Sequence, residues 1–294
     1  MADRYTRRRT GDRKNGRRLR TVSPGVQLTP LIMPNPSDAV NTFTDRAETE
    51  TMEQWVRLRR SEGYDGVSLL HIFIAAYVRM LAHRPAMNRF VSGRRLFARD
   101  DIDIVLSAGR SGAADAGALT LKVRFKPSDT VYDVIRRINA QLDAVQADLD
   151  SDRFGDIASV LVKTPRFVVR AGVGVLRFLD YNDWLGRGLL EKSPFHGSAV
   201  ISDEGSASLP PMARSLNSLG GLPVSISIGR RRTAYEPDQS GALREKRYVD
   251  YTVSFDSRIA DSAYVGSAFK YFRYYLDNPS ELEKAPERVN EDAM

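Results

Sequence analysis

Few side chains in this sequence could exchange a proton near neutral pH. Its 294 residues include no cysteine and three histidines, His71, His83 and His196. Without cysteine, disulfides, thiolate catalysis and cysteine-ligated metals are excluded, and so few histidines do not favour a histidine-rich metal site. We therefore predict no bound metal. The absence of cysteine also fits a reducing compartment, so we expect a cytoplasmic protein.

Two turns carry the remaining candidates for chemistry. The first, VISDEG, contains Ser202, and the second, FDSRIADS, contains Ser257, Arg258 and Asp261. A fixed serine hydroxyl can donate a hydrogen bond to a developing oxyanion. It cannot accept a proton at pH 7, as a histidine can. The plain structural interpretation of Ser202 is a serine that ends a strand at a turn.

The basic character of the sequence is confined to its N-terminal segment. The net charge is +7, and residues 1–20 alone hold nine arginine or lysine residues and two aspartates. The remainder is neutral, because the totals of 44 basic and 37 acidic residues leave 35 of each outside that segment. The segment is predicted either to be a solvated mobile terminus or to contact nucleic acid or an anionic membrane through Arg4–Arg20.

Hydrophobic periodicity and the lack of an internal linker predict one α+β domain over residues 25–282. A basic flexible tail, residues 1–24, is expected before it, and a polar, disordered tail, residues 283–294, after it. The sequence has neither the apolar core of a signal peptide nor the run of about 18 apolar residues that a membrane span needs.

Within the domain, the patterns predict a polar helix and then an apolar helix that Ser68 can cap. Short strands follow, then a loop at residues 109–117, another strand, and a helix that begins after Ser128 or Asp129. The last third alternates as strands before a final amphipathic helix. The predicted ranges with the clearest boundaries are Glu48–Glu62 for the polar helix and Asn88–Val91, Arg95–Ala98 and Asp101–Ala108 for strands.

In the order of these elements and in four motifs, the sequence resembles the catalytic core domain of the 2-oxoacid dehydrogenase acyltransferases, which have the chloramphenicol acetyltransferase fold. VSLLHIFIAAYVRMLAHRPAMNRFV is similar to a helix of the family and its exit, and DDIDIVLSAG to a strand. HGSAVISDEG is similar to the family's GGTFTISNLG, and VSFDSRIADSAY stands where the family has SYDHRxxDGA. The resemblance covers roughly residues 25–282 and implies a two-layer α+β sandwich with a mixed sheet, assembled as a homotrimer.

The resemblance also implies roles for residues. In the family, the histidine of the second turn is the base that takes a proton from the thiol of coenzyme A or dihydrolipoamide. A serine of the strand hydrogen-bonds to the oxyanion, in a channel between two subunits. By position the oxyanion serine is Ser202, and Ser257 replaces the base, while Arg258 and Asp261 are kept as a pair expected to brace the turn.

Losing a general base typically costs about 100- to 10,000-fold in rate. The resemblance therefore implies a protein that binds a coenzyme A thioester with altered or weakened catalysis. The alternative is a non-catalytic trimeric scaffold or ligand-binding protein, and a third hypothesis is a peripheral membrane protein.

Other groups could replace the missing base. His196, six residues before Ser202, would lie about 20 Å from it along an extended strand, so it could serve only a site across a trimer interface. Otherwise it is a loop histidine. The carboxylates Asp203, Glu204 and Asp256 could act as bases only if burial raised their pKa values.

Residues 158–190 are apolar with regularly spaced arginines. We expect them to be buried against the core or a neighbouring subunit, with a helix on a membrane surface as the alternative. The sequence has no Asp-Lys-Ala lipoylation motif, so no lipoyl group is predicted on this chain. Its charged C-terminal end predicts trimers that do not join into a cage.

Overall fold

The computed structural model describes residues 9–108, 119–149, 165–217, 219–237 and 241–293. Its α-helices, numbered along the chain, are α1 (Pro24–Ile32), α2 (Glu50–Ser61), α3 (Leu69–His83), α4 (Val131–Leu149), α5 (Arg166–Tyr181), α6 (Arg187–Lys192) and α7 (Ser262–Asp277). Its strands are β1 (Gly16–Arg18), β2 (Val40–Glu48), β3 (Arg89–Ser92), β4 (Arg95–Arg99), β5 (Ile102–Ala108), β6 (Leu119–Phe125), β7 (Ala199–Asp203), β8 (Val224–Pro237) and β9 (Leu243–Asp256). The predicted helices and strands are confirmed, with the clearest ends shifted by at most two residues. The predicted loop at residues 109–117 lies outside the described residues.

The main sheet has an apolar face and a hydroxyl face. Its six strands lie in the order β2-β9-β8-β7-β5-β6; β7 runs parallel to β5 and β8, and the other neighbours are antiparallel. On β8, Ile226 and Ile228 alternate with Ser225 and Ser227, and all four side chains are buried. Because successive strand residues point to opposite faces, the serines line one face of the sheet. The predicted α+β class with a mixed sheet is confirmed.

Helices α3 and α7 cover the apolar face. Phe73 of α3 and Phe272 of α7 meet Tyr251 of β9 edge to face, with ring centroids 5.7 and 5.6 Å from the tyrosine ring. Phe43 of β2 and Phe269 of α7 form another such pair at 5.1 Å. Aromatic pairs of this geometry contribute about 0.5–1.5 kcal/mol each beyond the area they bury. This aromatic layer packs the two helices against the sheet, and the hydroxyl face lies on the opposite side of the sheet.

The N-terminal segment is not a mobile tail from residue 9 onward, contrary to our expectation. Strand β1 pairs with β4 in a three-stranded sheet, and a Cβ on Gly16 would lie 2.7 Å from the Ala98 oxygen, so only glycine fits there. Arg13 is buried and donates to the carboxylate of Asp180 at 2.9 Å. Strand pairing and a buried counter-ion explain why this basic segment folds.

These bonds remove part of the basic surface that we predicted to contact nucleic acid or a membrane. Besides Arg13, Arg17 donates to the main-chain oxygen of Asp292, and Arg20 pairs with Asp12 at 3.0 Å. Residues 1–8, which include Arg4, Arg7 and Arg8, lie outside the described residues.

The C-terminal segment was predicted to be disordered, and this prediction is wrong for residues 283–293. Asn290 donates from its backbone to the Ala82 oxygen and from its side chain to the His83 oxygen, each at 2.8 Å. The carboxylate of Asp292 accepts from the guanidinium of Arg89 at 2.7 Å. Residues 283–293 are ordered because Asn290 caps the last carbonyls of α3, a contact that the polar composition of the segment does not indicate.

Two helix N-termini show how local sequence fixes the elements. Ser68 is the N-cap of α3, as predicted, in a capping box completed by His71. For α4 the predicted caps Ser128 and Asp129 are wrong. Thr130 donates from its backbone and hydroxyl to Asp133 at 3.0 and 2.9 Å, which is the reciprocal half of a capping box.

His71 predicts an acid-sensitive stability. Burial, assisted by the charge of Arg60, lowers its pKa from 6.5 to about 4, although a hydrogen bond with the Ser68 backbone acts in the opposite direction. The unfolded chain therefore takes up the proton at a higher pH than the folded chain does. The stability that neutral His71 contributes is complete above pH 6.5 and is lost as the pH falls through 4, to a total of about 3 kcal/mol.

The variant His71→Gln keeps an acceptor for the cap but cannot be protonated. Urea unfolding at pH 7, 5 and 4 should show the wild type losing stability relative to this variant as the pH falls. Parallel pH dependences of the two proteins would contradict the assignment.

Helix α5 is not buried in the core of the chain, contrary to our expectation for residues 158–190. Phe167 and Phe178 are 73% and 58% exposed, and Asp180 is the buried residue of the helix. Residues 158–164 lie outside the described residues. Among the described helices none is long and apolar enough to cross a membrane.

Candidate functional site

Ser202 lies in the middle of the hydroxyl face. On β7 its backbone is in register with Ser107 of β5 on one side and Ser227 of β8 on the other. The residue is 1% exposed, and its Oγ has no hydrogen-bond partner among the described residues. An unpaired buried hydroxyl costs about 1–3 kcal/mol. Such a donor is available to an oxygen that the described residues do not supply.

The row of hydroxyls continues across the sheet. Ser227 is in register with Thr252 of β9, which in turn faces Thr44 of β2, with 2.8 Å between the two threonine oxygens. Ser225 lies on the same face of β8, two residues before Ser227. It is a second buried hydroxyl without a partner among the described residues. Our sequence interpretation missed these residues, although the period-two alternation in VSISI and YTVSF was the signal for them.

A chain segment lies over the strand beside Ser202. The backbone of Met212 donates to the Oγ of Ser227 at 2.9 Å, and the backbone of Arg230 donates to the oxygen of Leu209 at 2.8 Å. A Cβ on Gly229 would lie 2.3 Å from a ring carbon of Pro211, so the segment packs closely on β8. Leu209–Met212 therefore closes this part of the hydroxyl face within one chain.

Ser257 is tied into the turn that follows β9. Its hydroxyl and its backbone N–H both donate to the main-chain oxygen of Ala39, each at 2.8 Å. The hydroxyl thus fixes the turn to the residue before β2. This hydroxyl cannot act as a base, because it does not accept a proton at neutral pH.

The brace of this turn differs from the predicted pair of Arg258 and Asp261. Arg258 is buried and is held by Asp256, with Nε–Oδ1 and Nη2–Oδ2 distances of 2.8 and 2.6 Å. Asp261 instead caps α7, where its carboxylate accepts from the backbone of Tyr264 at 2.7 Å. Because Asp256 directly precedes the turn, the chain can close a compact bidentate pair there.

Arg258 also binds the segment that leads into β2. Its Nη1 donates to the main-chain oxygens of Met33 and Pro34 at 3.0 and 3.2 Å. With the bonds of Ser257 to Ala39, these contacts lock the turn against the same segment. The turn is rigid because a buried, fully paired arginine organises it.

One chain does not bring Ser202 and Ser257 together. Ser202 is in line with Thr252 two strands away, and Ser257 lies five residues further along the chain from that threonine. At about 4.8 Å per strand and 3.3 Å per residue, the two serines are about 20 Å apart.

His196 lies in a separate buried cluster. Its Nδ1 is 2.8 Å from the Oγ of Ser193, and its Nε2 is 3.2 Å from the carboxylate of Asp180, which also accepts from the Gly220 backbone. Burial alone would raise the pKa of Asp180, but the hydrogen bond and charge of His196, with Arg13 and the Gly220 amide, lower it below its ordinary value. Both ring nitrogens of His196 are engaged, so the geometry favours a positioning role over that of a base.

The candidate carboxylates are engaged as well. Glu204 pairs with Arg214 at 2.6 Å, Asp203 accepts from the backbone of Ser206 at 3.3 Å, and Asp256 holds the turn arginine. None of the three histidines of the chain lies at the Ser257 turn.

Comparison with known proteins identifies the fold. No model of a protein family matches the sequence, and no curated protein matches it. The structure is similar to a probable dihydrolipoamide acetyltransferase from Listeria monocytogenes, with a TM-score of 0.53 and 11% identity over 92% of this chain and 97% of the other. It is also similar to the dihydrolipoamide acetyltransferase of Azotobacter vinelandii, a structure that addressed the catalytic roles of a serine, a histidine and an asparagine. That comparison has a TM-score of 0.53 and 13% identity over 88% of both chains.

A chloramphenicol acetyltransferase is similar with a TM-score of 0.51 and 9% identity, over 89% of this chain and 99% of the other. At such identities the likeness shows the fold alone. The predicted chloramphenicol acetyltransferase-like fold, which is that of the 2-oxoacid dehydrogenase acyltransferase core, is confirmed.

Proposed function

We propose that the protein binds an acyl thioester, such as acyl-coenzyme A, between the subunits of a homotrimer and transfers the acyl group slowly. The observation that carries this proposal is the buried Ser202 hydroxyl, which has no partner among the described residues of an acyltransferase fold. A hydroxyl held in this way supports the binding of a carbonyl oxygen that gains negative charge.

The homotrimer is part of the proposal because of the geometry of one chain. Ser202 and Ser257 are about 20 Å apart along the sheet, too far for one thioester group to contact both serines of the same chain, so we place the thioester between two chains. The resemblance to the acyltransferase family supports three chains around an axis, with the Ser257 turn of one chain beside the Ser202 strand of the next.

The slow transfer follows from Ser257. A thiol attacks a thioester as its thiolate, and a free thiol is only a few per cent ionised at pH 7. No side chain at the Ser257 turn is free to take the proton, because Ser257 is tied to Ala39, Asp256 is paired with Arg258 and Asp261 caps α7. Any remaining transfer should therefore rise with pH toward the pKa of the thiol itself.

A non-catalytic scaffold is the second candidate, and one observation favours it. Leu209–Met212 lies over β8, whose Ser227 is in register with Ser202, and Ser202 itself is 1% exposed. Two cavities, of about 190 and 90 Å³, are lined by other residues, including Arg99 and Asp100. A hydroxyl face that is closed in this way within one chain favours a protein that does not bind a thioester at Ser202.

Thiol release from a series of acyl-coenzyme A esters, with dihydrolipoamide as acceptor, tests the proposal. We expect slow release by the wild type that rises with pH, and a loss of about 100-fold or more in Ser202→Ala, because one oxyanion donor is worth that much. Ser280→Ala, which changes an exposed serine in the turn after α7, is the matched control and should retain the wild-type rate. Release by the wild type at the rate of buffer alone would favour the scaffold.

We further propose a cytoplasmic location, which the cysteine-free composition supports. A contact of Arg4–Arg20 with nucleic acid or a membrane is a weaker proposal, because Arg13, Arg17 and Arg20 are bonded within the chain.

A further inference from the structure

Helix α5 presents an apolar face to solvent. Phe167 and Phe178, eleven residues apart, project on the same side after three helical turns, and Val175 between them is 56% exposed. Beyond the helix, Trp184 is 65% exposed and meets Phe178 edge to face at 5.8 Å. An exposed face with this many large apolar side chains is typical of a surface that binds a membrane or another protein.

Three arginines follow one edge of that face. Arg166, Arg170 and Arg177 fall within about 40° of one another around the helix at 100° per residue. All three are exposed, and none forms an ion pair or hydrogen bond with a described residue. The helix therefore offers an apolar side bordered by an unneutralised positive edge.

The single acidic residue of the helix is buried. Asp180 accepts hydrogen bonds from Arg13 at 2.9 Å, from His196 at 3.2 Å and from the backbone of Gly220 at 3.2 Å. These bonds attach the C-terminal end of α5 to the domain and leave the rest of the helix exposed. The exposed part of α5 therefore carries only positive charge. Because its C-terminal end is held to the domain, the helix has a fixed orientation relative to it.

Composition indicates that the helix needs a covering surface. Gly172 and Gly174 lie in its middle, with open space around both. A glycine inside a helix costs about 0.5–1 kcal/mol relative to alanine, so neither position is explained by close packing. A 16-residue helix of this kind gains its stability from burial of its apolar side.

We infer that α5 docks in the plane of an anionic phospholipid surface. The aromatic and aliphatic side chains enter the boundary between headgroups and acyl chains, and the three arginines bind lipid phosphates. This arrangement is that of an interfacial amphipathic helix. A second copy of the chain fits less well, because an apolar protein interface would need three carboxylates to match these arginines. The inference is independent of thioester binding.

Co-sedimentation with phospholipid vesicles tests the inference. Full-length protein is mixed with vesicles of phosphatidylcholine alone or with 30 mol% phosphatidylglycerol, at low salt and at high salt. We expect binding to the anionic vesicles, weakening with salt. The variant Arg166→Gln/Arg170→Gln/Arg177→Gln should lose about 100-fold in affinity, at about 1 kcal/mol per arginine. Phe167→Ser/Phe178→Ser should also lose most of the binding.

Two matched variants control for total charge and total apolar exposure. Arg57→Gln/Arg95→Gln/Lys270→Gln removes three exposed charges elsewhere, and Tyr235→Ser/Leu243→Ser removes exposed apolar groups from the β8–β9 hairpin. Both should bind vesicles like the wild type.

Three results would overturn the inference. One is a wild type that does not bind anionic vesicles, and another is binding that the α5 variants leave unchanged. The third is a wild-type oligomer, measured by sedimentation velocity without lipid, that the α5 variants dissociate, which would assign this face to a second copy. Titration with acyl-coenzyme A should be the same in the α5 variants and the wild type, so the outcome does not depend on the proposed function.

Discussion

Replacing Arg258 with methionine is expected to reduce the free energy of unfolding by about 3–5 kcal/mol, the cost of removing one partner of a buried ion pair. Arg258 and Asp256 are buried and hydrogen-bonded through both carboxylate oxygens. The substitution leaves Asp256 as an uncompensated buried charge. It also frees the oxygens of Met33 and Pro34, which accept from the guanidinium.

Urea unfolding of three variants separates this cost from the loss of side-chain packing. Arg258→Met should be the least stable, and the double variant Asp256→Leu/Arg258→Met should regain much of the loss, because it removes both charges. Asp261→Ala, which removes the exposed cap of α7, should cost only about 0.5–2 kcal/mol. Equal losses in Arg258→Met and Asp261→Ala would contradict Asp256 as the partner and restore the pair that the sequence suggested.

Replacing Ser257 with histidine is expected to raise thiol release from acyl-coenzyme A by about 100-fold. A general base contributes about 100- to 10,000-fold, and the lower end applies because the new imidazole has no side chain built to orient it. The rigid turn, held by Arg258 and Asp256, would carry the ring where the family has its base. Release should rise as the pH passes the histidine pKa near 6.5.

The control is Ser257→Gln, which adds a side chain of similar size that cannot accept a proton. It should release thiol no faster than the wild type. Adding Ser202→Ala to Ser257→His should remove most of the gain, because the oxyanion donor is then missing. An equal increase in the glutamine variant would show that loss of the bond between Ser257 and Ala39 opens the site, with no role for a base.

Local patterns in the sequence predicted helices α2, α3, α4 and α7, the strands from β3 onward and the position of both candidate turns, but they did not predict helix α1 or strand β1. Period-two and helical spacing are set by neighbouring residues, so elements such as α3 with its Ser68 cap are readable from the sequence. The partner of Arg258 was not readable, because carboxylates occur both two residues before it and three residues after it. The path of the turn decides between Asp256 and Asp261, and that path depends on the distant Ala39 and Met33.

The two terminal segments were mispredicted because their order depends on distant contacts, and α5 does not lie in the core of the chain, which was one of the two places expected for it. β1 pairs with a strand about 80 residues away, and Asn290 caps a helix that ended about 200 residues earlier. Polar composition suggests disorder when such partners cannot be foreseen. For α5 the amphipathic pattern was correctly read as helix, but a pattern of this kind does not reveal which surface covers its apolar side.

Calorimetric titration of an acyl-coenzyme A into the full-length protein tests the central claim, that Ser202 binds a thioester in a protein lacking the base. We expect saturable binding to the wild type and weaker binding to Ser202→Ala, with Ser280→Ala unchanged. We also expect equal affinity in Ser257→Gln and the wild type, because Ser257 takes no proton. Absence of binding to the wild type, or equal binding to wild type and Ser202→Ala, would contradict the claim.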